Sequence, residues 1–243
     1  MNSRKLVYIV VCVCMMITLG CAVQVSPEQL AEKVLKNEYD KSFGVDTVLK
    51  DGNMLDSLSG DNSVTMIAHA INSDCEAFKV SIYSDGTFCS ANYRNTQFCE
   101  QIAECVRDNF YHEYNADELY VRVITTIYAP DSDGIDTVDR FIEEYGDTIR
   151  VYLYFDDEDS ARCITYEEVS HIFDGLDEFN TSDKYYVTFV ADCNPVELKQ
   201  YFQRYDTIYD DFKYLEGETL GNVVFSYGEM QTTRKEFTSI FES

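Results

Sequence analysis

From Leu119 onward the sequence repeats one pattern four times: a short run of alternating apolar residues, then a segment with apolar residues at helical spacing. Leu119–Tyr128 precedes a segment bearing Val138, Phe141, Ile142 and Tyr145, and Ile149–Phe155 precedes one bearing Val169, Ile172, Phe173 and Leu176. Tyr185–Ala191 precedes Leu198, Tyr201, Phe202 and Tyr205, and Asn222–Tyr227 precedes Phe237, Ile240 and Phe241. The i, i+3, i+4, i+7 spacing in the first three helical segments predicts helices with one buried face. The strands alternate instead of running solidly apolar. In Ile149–Phe155 one face is aliphatic and the other carries Arg150, Tyr152 and Tyr154. A sheet of such strands has helices on one face and leaves the other partly open, which favours α+β over a doubly wound parallel sheet.

The front of the chain is punctuated differently. Ser26-Pro27-Glu28-Gln29 combines an N-cap serine, proline at the first helical position and glutamine at the third, and so opens a helix over Pro27–Glu38. Strand-like stretches follow at Phe43–Leu49, Val64–Ile71 and Ala77–Ser84, the last continuing through the turn Asp85-Gly86 into Thr87–Ala91. If Ser84 pairs with Thr87, Ile82 faces Cys89 across this hairpin. A helix over Asn92–Tyr111 then presents Phe98, Ile102, Cys105, Val106 and Phe110 on one face. The front half, residues 21–114, is thus expected as α-β-β-β-α, with a soft division at Asn115-Ala116-Asp117 and a β-α repeating half over 115–243. In that half, Thr165…Glu168 and Asn194-Pro195-Val196-Glu197 are further helix starts.

Residues 1–20 follow a targeting grammar. Arg4 and Lys5 precede an unbroken apolar run, Leu6–Leu19, and then Gly20-Cys21. The run is shorter than the roughly 17–25 residues of a spanning helix and suits a signal-peptide core. A small residue before cysteine is where a lipoprotein signal peptidase cuts once a diacylglyceryl group is on the thiol. Cys21 is therefore the expected lipid attachment site, although Thr18 stands where such signals usually carry leucine. The alternative is an uncleaved helical anchor over Leu6–Val23, and Lys5 orients either form with the C-terminal domain outward.

Lys33 to Asp108 resembles a broad set of uncharacterised small lipoproteins of clostridia and related Gram-positive bacteria. The resemblance lies in Lys36-Asn37-Glu38-Tyr39, Phe43-Gly44-Val45, Phe78-Lys79-Val80 with Asp85-Gly86 after it, and Asn92-Tyr93 with Ile102 and Val106 beyond. Ala91 departs from it, standing where an acid often precedes Asn-Tyr. The resemblance implies a location and a host class and no chemistry.

With 19 Lys+Arg against 44 Asp+Glu, the formal net charge is −25. Such a surface repels phosphate backbones, which excludes nucleic acid as the expected partner. It also repels anionic headgroups, so membrane attachment has to come from an apolar or covalent anchor and not from a basic patch. Cys12 and Cys14 lie in the leader, leaving Cys75, Cys89, Cys99, Cys105, Cys163 and Cys193. Three disulfides in any of 15 connectivities, or buried thiols, both suit these six. None forms C-x-x-C, and Cys99 and Cys105 are about 9 Å apart along one helix, too far to bridge each other.

Of the histidines, His69 lies in an apolar strand, His112 near a helix end and His171 on a helix surface. None forms a zinc signature. Asp131–Asp139 resembles a calcium loop but places Gly134 two positions early and lacks the closing glutamate. It reads instead as a strand-to-helix turn with Asp136 as cap. Asp156-Asp157-Glu158-Asp159 reads as a solvated loop. No phosphate loop, serine elbow or nucleotide fingerprint is present, so neither a cofactor nor a catalytic residue is assigned. The 19 tyrosines stand out. Tyr120 and Tyr128 share one strand face, as do Tyr152 and Tyr154; such faces contact another protein or are covered by a further layer of the chain itself. The expectation is a non-catalytic, membrane-anchored extracytoplasmic lipoprotein that contacts an envelope protein. A solute- or cation-binding receptor ranks second and a cell-wall-directed enzyme third.

Overall fold

The computed structural model describes residues 25–49, 63–73, 75–83, 86–110, 118–126, 131, 134–171, 184–204, 217–226 and 229–241. The leader with Cys21, the division at residues 115–117, His112 and Tyr128 lie outside them. So do Ile172, Phe173, Leu176, Tyr205 and Tyr227.

The fold is α+β, with two sheets. Helix α1 (Pro27–Tyr39) leads into β1 (Phe43–Leu49), β2 (Ser63–Ala70), β3 (Phe78–Tyr83) and β4 (Phe88–Ala91), which form an antiparallel sheet in that order. The front half therefore has four strands, not three, because the stretch beyond the turn is a strand in its own right. Alternation along each strand sends Phe43, Met66, Ala68, Phe78, Val80 and Ile82 to one face, where Ala31 and Leu35 of α1 cover them. Ser26 caps α1 as expected: its hydroxyl accepts from Gln29 N–H at 3.3 Å, and the Gln29 side chain accepts from Ser26 N–H at 3.4 Å.

The long helix α2 (Tyr93–Phe110) follows, and then β5 (Leu119–Thr125), α3 (Val138–Tyr145), a 3-10 turn (Gly146–Thr148) and β6 (Ile149–Phe155). Two short helices, α4 (Glu158–Arg162) and α5 (Tyr166–His171), precede β7 (Lys184–Ala191). Helix α6 (Pro195–Phe202), β8 (Glu218–Ser226), β9 (Glu229–Met230) and α7 (Arg234–Ile240) complete the order. The second sheet runs β5-β6-β7-β8-β9, with β6 and β7 parallel and the other pairs antiparallel. One face packs Val121, Val123, Val151, Leu153, Val187, Phe189 and Val223 against α2, α3, α5 and α7. Helix α2 ends the first half in sequence, yet its apolar face (Phe98, Ile102, Val106) belongs to this second core.

Four further expectations are corrected. The helices do not all lie on one face: α6 crosses to the other, where Leu198 and Phe202 bury Tyr120, Tyr154 and Val190. The hairpin closes one residue earlier than Ser84–Thr87. Tyr83 N–H donates to Thr87 O at 2.9 Å, Gly86 takes φ +84, and a register shift at Ser81/Ile82 brings Phe88 rather than Cys89 opposite Ile82. Glycine takes that left-handed backbone without the steric cost other residues meet, and Ser84 and Asp85 before it lie outside the described residues. The cap of α3 is Thr137, whose hydroxyl accepts from Arg140 N–H at 3.3 Å, while the expected cap, Asp136, pairs with the Arg140 guanidinium at 3.5 Å. The acidic run at 156–159 is not a plain loop: Asp157 caps α4 by accepting from Ser160 N–H at 2.6 Å. The other caps stand as read, with Asn194 accepting from Glu197 N–H and Thr165 exchanging bonds with Glu168.

Candidate functional site

The most concentrated polar chemistry lies where the two halves meet. β5 is an edge strand of the second sheet, and the loop between β2 and β3 lies against it. Ala77 N–H in that loop donates to Phe202 O, at the end of α6, at 2.8 Å. This tie places Glu76 beside β5. There Arg122 Nε donates to both carboxylate oxygens, at 2.9 and 3.0 Å, and the Tyr120 hydroxyl donates to Oε1 at 2.6 Å. The Arg122 side chain is only 2% exposed and that of Glu76 14%. The guanidinium carbon sits 3.6 Å from the centre of the Phe202 ring. Tyr120 stacks on Phe202 at 6.1 Å and on Tyr154 at 6.0 Å, and Tyr154 on Tyr152 at 5.9 Å. A buried cation between an aromatic face and a carboxylate has both its charge and its π-contact satisfied.

Helix α2 supplies the other wall with Asn95, Cys99 and Glu100. The Asn95 amide donates to Thr125 Oγ1 at 3.1 Å. Burial, and then the nearby Glu76 carboxylate, push Glu100 up to about 6. Burial likewise raises Tyr120, Tyr154 and the Cys99 thiol, and carries the Cys193 thiol up to about 12, so neither of these two thiols is poised as a thiolate. A carboxyl raised to about 6 beside a buried arginine–carboxylate pair is the kind of group that acid–base chemistry uses. The space they enclose is about 20 Å³, which is room for about one water. Its chemistry is that of a lock between halves.

A second tie uses Asp131. Both its oxygens accept from Arg94 N–H, at 3.0 and 3.1 Å, in the first turn of α2, and the Tyr39 hydroxyl of α1 donates to it. The residue that opens the calcium-like stretch is thus a helix cap supplied from a distant loop. Burial raises its proton affinity, against the hydrogen bonds that lower it. Among the described residues no group of His, Cys, Asp and Glu is arranged to hold a metal ion. His69 pairs with Asp46 at 2.7 Å on the outer face of the first sheet, its ring over Gly44, where a Cβ would come within 2.8 Å of the imidazole. His171 is exposed at the end of α5. Of the six cysteines from Cys75 onward, Cys99 and Cys193 are buried, Cys105 and Cys163 exposed, and Cys75 and Cys89 lie between.

Sequence reasoning missed Glu76 and Arg122. Glu76 is one acid among 44 and carries no local pattern. Arg122 did leave a signal: a lone cation inside the strand Leu-Tyr-Val-Arg-Val-Ile-Thr has to find a buried acid. Of the tyrosines singled out, Tyr120 and Tyr154 are buried under α6, and Tyr152 is half-buried. Beyond it the same face stays partly open, with Arg150, Tyr186 and Thr188 half-buried and Asn222 exposed. Arg150 lies over the Tyr186 ring at 4.3 Å, and Thr188 Oγ1 donates to Asn222 Oδ1 at 2.6 Å.

The Glu100 shift gives a pH prediction. A folded-state midpoint near 6, against 4.5, means the folded form holds this proton more tightly, so stability from this group is complete below about pH 4.5 and lost as pH rises through 6. E100Q is therefore expected to stabilise the protein at pH 7 by up to about 2 kcal/mol. Denaturant titrations of both forms should show that difference vanish by about pH 4.5.

No family model matches the sequence, and no curated protein matches it either. A solved structure does match: the crystal structure of a DUF5037 family protein from Ruminococcus gnavus superposes with a TM-score of 0.66, covering 90% of this chain and 100% of that one. The two share 11% sequence identity, so the similarity is one of fold.

Proposed function

We propose that this protein is a non-catalytic, extracytoplasmic lipoprotein, held at the membrane through Cys21, whose folded domain binds another protein of the cell envelope. The order of the leader carries the reading: Arg4-Lys5, the apolar run Leu6–Leu19, then Gly20-Cys21, with a capped helix opening at Ser26. A start this close to the lipid keeps the domain beside the membrane. Two features of the folded domain support binding over catalysis. The polar cluster between the halves, the densest group of titratable side chains described, encloses space for about one water and leaves no room there for a substrate. The sheet face around Arg150, Tyr152, Tyr186 and Asn222 combines half-buried tyrosine with arginine, the pairing enriched at protein contacts.

The test is site-specific photo-crosslinking in intact membranes. A photoreactive residue at Tyr186 or at Asn222 is expected to give one discrete adduct, absent when it replaces exposed Glu143 of α3. Failure to form an adduct at either face position, together with a small molecule that raises the melting temperature, would replace this reading with a receptor.

A further inference from the structure

We propose that the groove between the first turn of α1 and the ends of β2 and β3 rests on the bilayer, with its apolar lining at the hydrocarbon edge of the leaflet that holds Cys21. The inference rests on the lipid anchor proposed above and adds an orientation to it. The groove has a volume of about 490 Å³ and is lined by Val25, Pro27, Leu30, Val64, Ile82 and Tyr83, together with the capping residue Ser26. Ile82 is buried at its base, while Val25 is 51% and Tyr83 36% exposed at its rim. Among the described residues only Ile71 and Val196 are comparably exposed large apolar side chains, so half of that group borders this one groove. Clustered apolar exposure of this kind marks a contact surface.

Chain length identifies the occupant. Val25 lies four positions beyond Cys21, a span of at most about 14 Å when fully extended. The interfacial layer on each side of a bilayer is about 5–8 Å thick. A lipidated Cys21 therefore keeps the groove within reach of that layer. Charge agrees. A domain with 44 acids against 17 bases (Arg4 and Lys5 being in the leader) is repelled by anionic headgroups over most of its surface, whereas the residues lining the groove carry no carboxylate. Tyrosine at the rim suits the same depth, since its ring is amphipathic and gathers at membrane–water interfaces.

The chain contains no tryptophan, so Tyr83→Trp installs a sole indole at the rim. Full-length lipidated protein, purified from membranes, would be reconstituted into vesicles of dibrominated or plain phosphatidylcholine. Bromine is expected to reduce the emission of this indole at least twofold and to leave that of a Val196→Trp control, on α6, unchanged. Val25→Asp in the Tyr83→Trp background should remove most of the quenching while the protein still floats with the vesicles. Val25→Trp repeats the measurement at the opposite rim, independently of Tyr83. Vesicle-bound protein with both rim indoles unquenched overturns the orientation and leaves the anchor standing. Unquenched indoles with dimers in sedimentation assign the groove to a second copy and overturn it equally. Protein that fails to float overturns the anchor itself, and the orientation with it.

Discussion

Arg122→Met is expected to destabilise the protein by about 3–5 kcal/mol, the cost of removing one partner from a buried ion pair. The side chain is 2% exposed and holds both oxygens of Glu76, so its loss strands a carboxylate that is itself 14% exposed and retains the Tyr120 hydroxyl. The stack on Phe202 disappears as well. Methionine keeps much of the apolar stem, so the effect reports charge and hydrogen bonding more than volume. Adding Glu76→Gln should recover a large part of the loss, because the stranded group is then neutral. Equilibrium denaturation of the single and double variants measures this coupling. A single-variant loss below about 1 kcal/mol would mean the pair is not the tie between halves.

Cys21→Ser is expected to move the protein from the membrane fraction to the soluble extracytoplasmic fraction, its leader cut at another site. Serine offers no thiol to lipidate. With 17 bases against 44 acids once the leader is gone, a net −27, the domain has no electrostatic hold on anionic lipid to fall back on. The helical-anchor alternative makes the opposite forecast: the apolar run Leu6–Val23 is unaltered in character by one hydroxyl, and the variant would stay with the membrane. Fractionation of wild type and variant side by side separates the two.

The elements were legible because their signals are local. Ile149–Phe155 is a strand over the same residues that its alternation marks, and Ser26, Thr165 and Asn194 cap helices where the four-residue starts place them. What failed depended on partners far away in sequence. Whether α6 lies on the near or far face of its sheet is decided by Tyr120 and Tyr154, whose rings need Leu198 and Phe202 above them. Asp131 caps a helix that begins 38 positions earlier, at Tyr93, and no local motif announces this. The partner of Ile82 slipped by one because Asp85-Gly86 suits more than one register, and Gly86 abuts the Leu30 side chain of α1. The candidate lock joins Glu76 to Arg122 across 46 positions; an arginine inside an apolar strand was its one visible trace.

The intact mass of the native protein extracted from its own membranes is the most direct measurement. A chain that begins at Cys21, lacks residues 1–20 and carries a diacylglyceryl group on the cysteine sulfur is the predicted result. A chain that retains Met1 and carries no fatty acyl mass would contradict it.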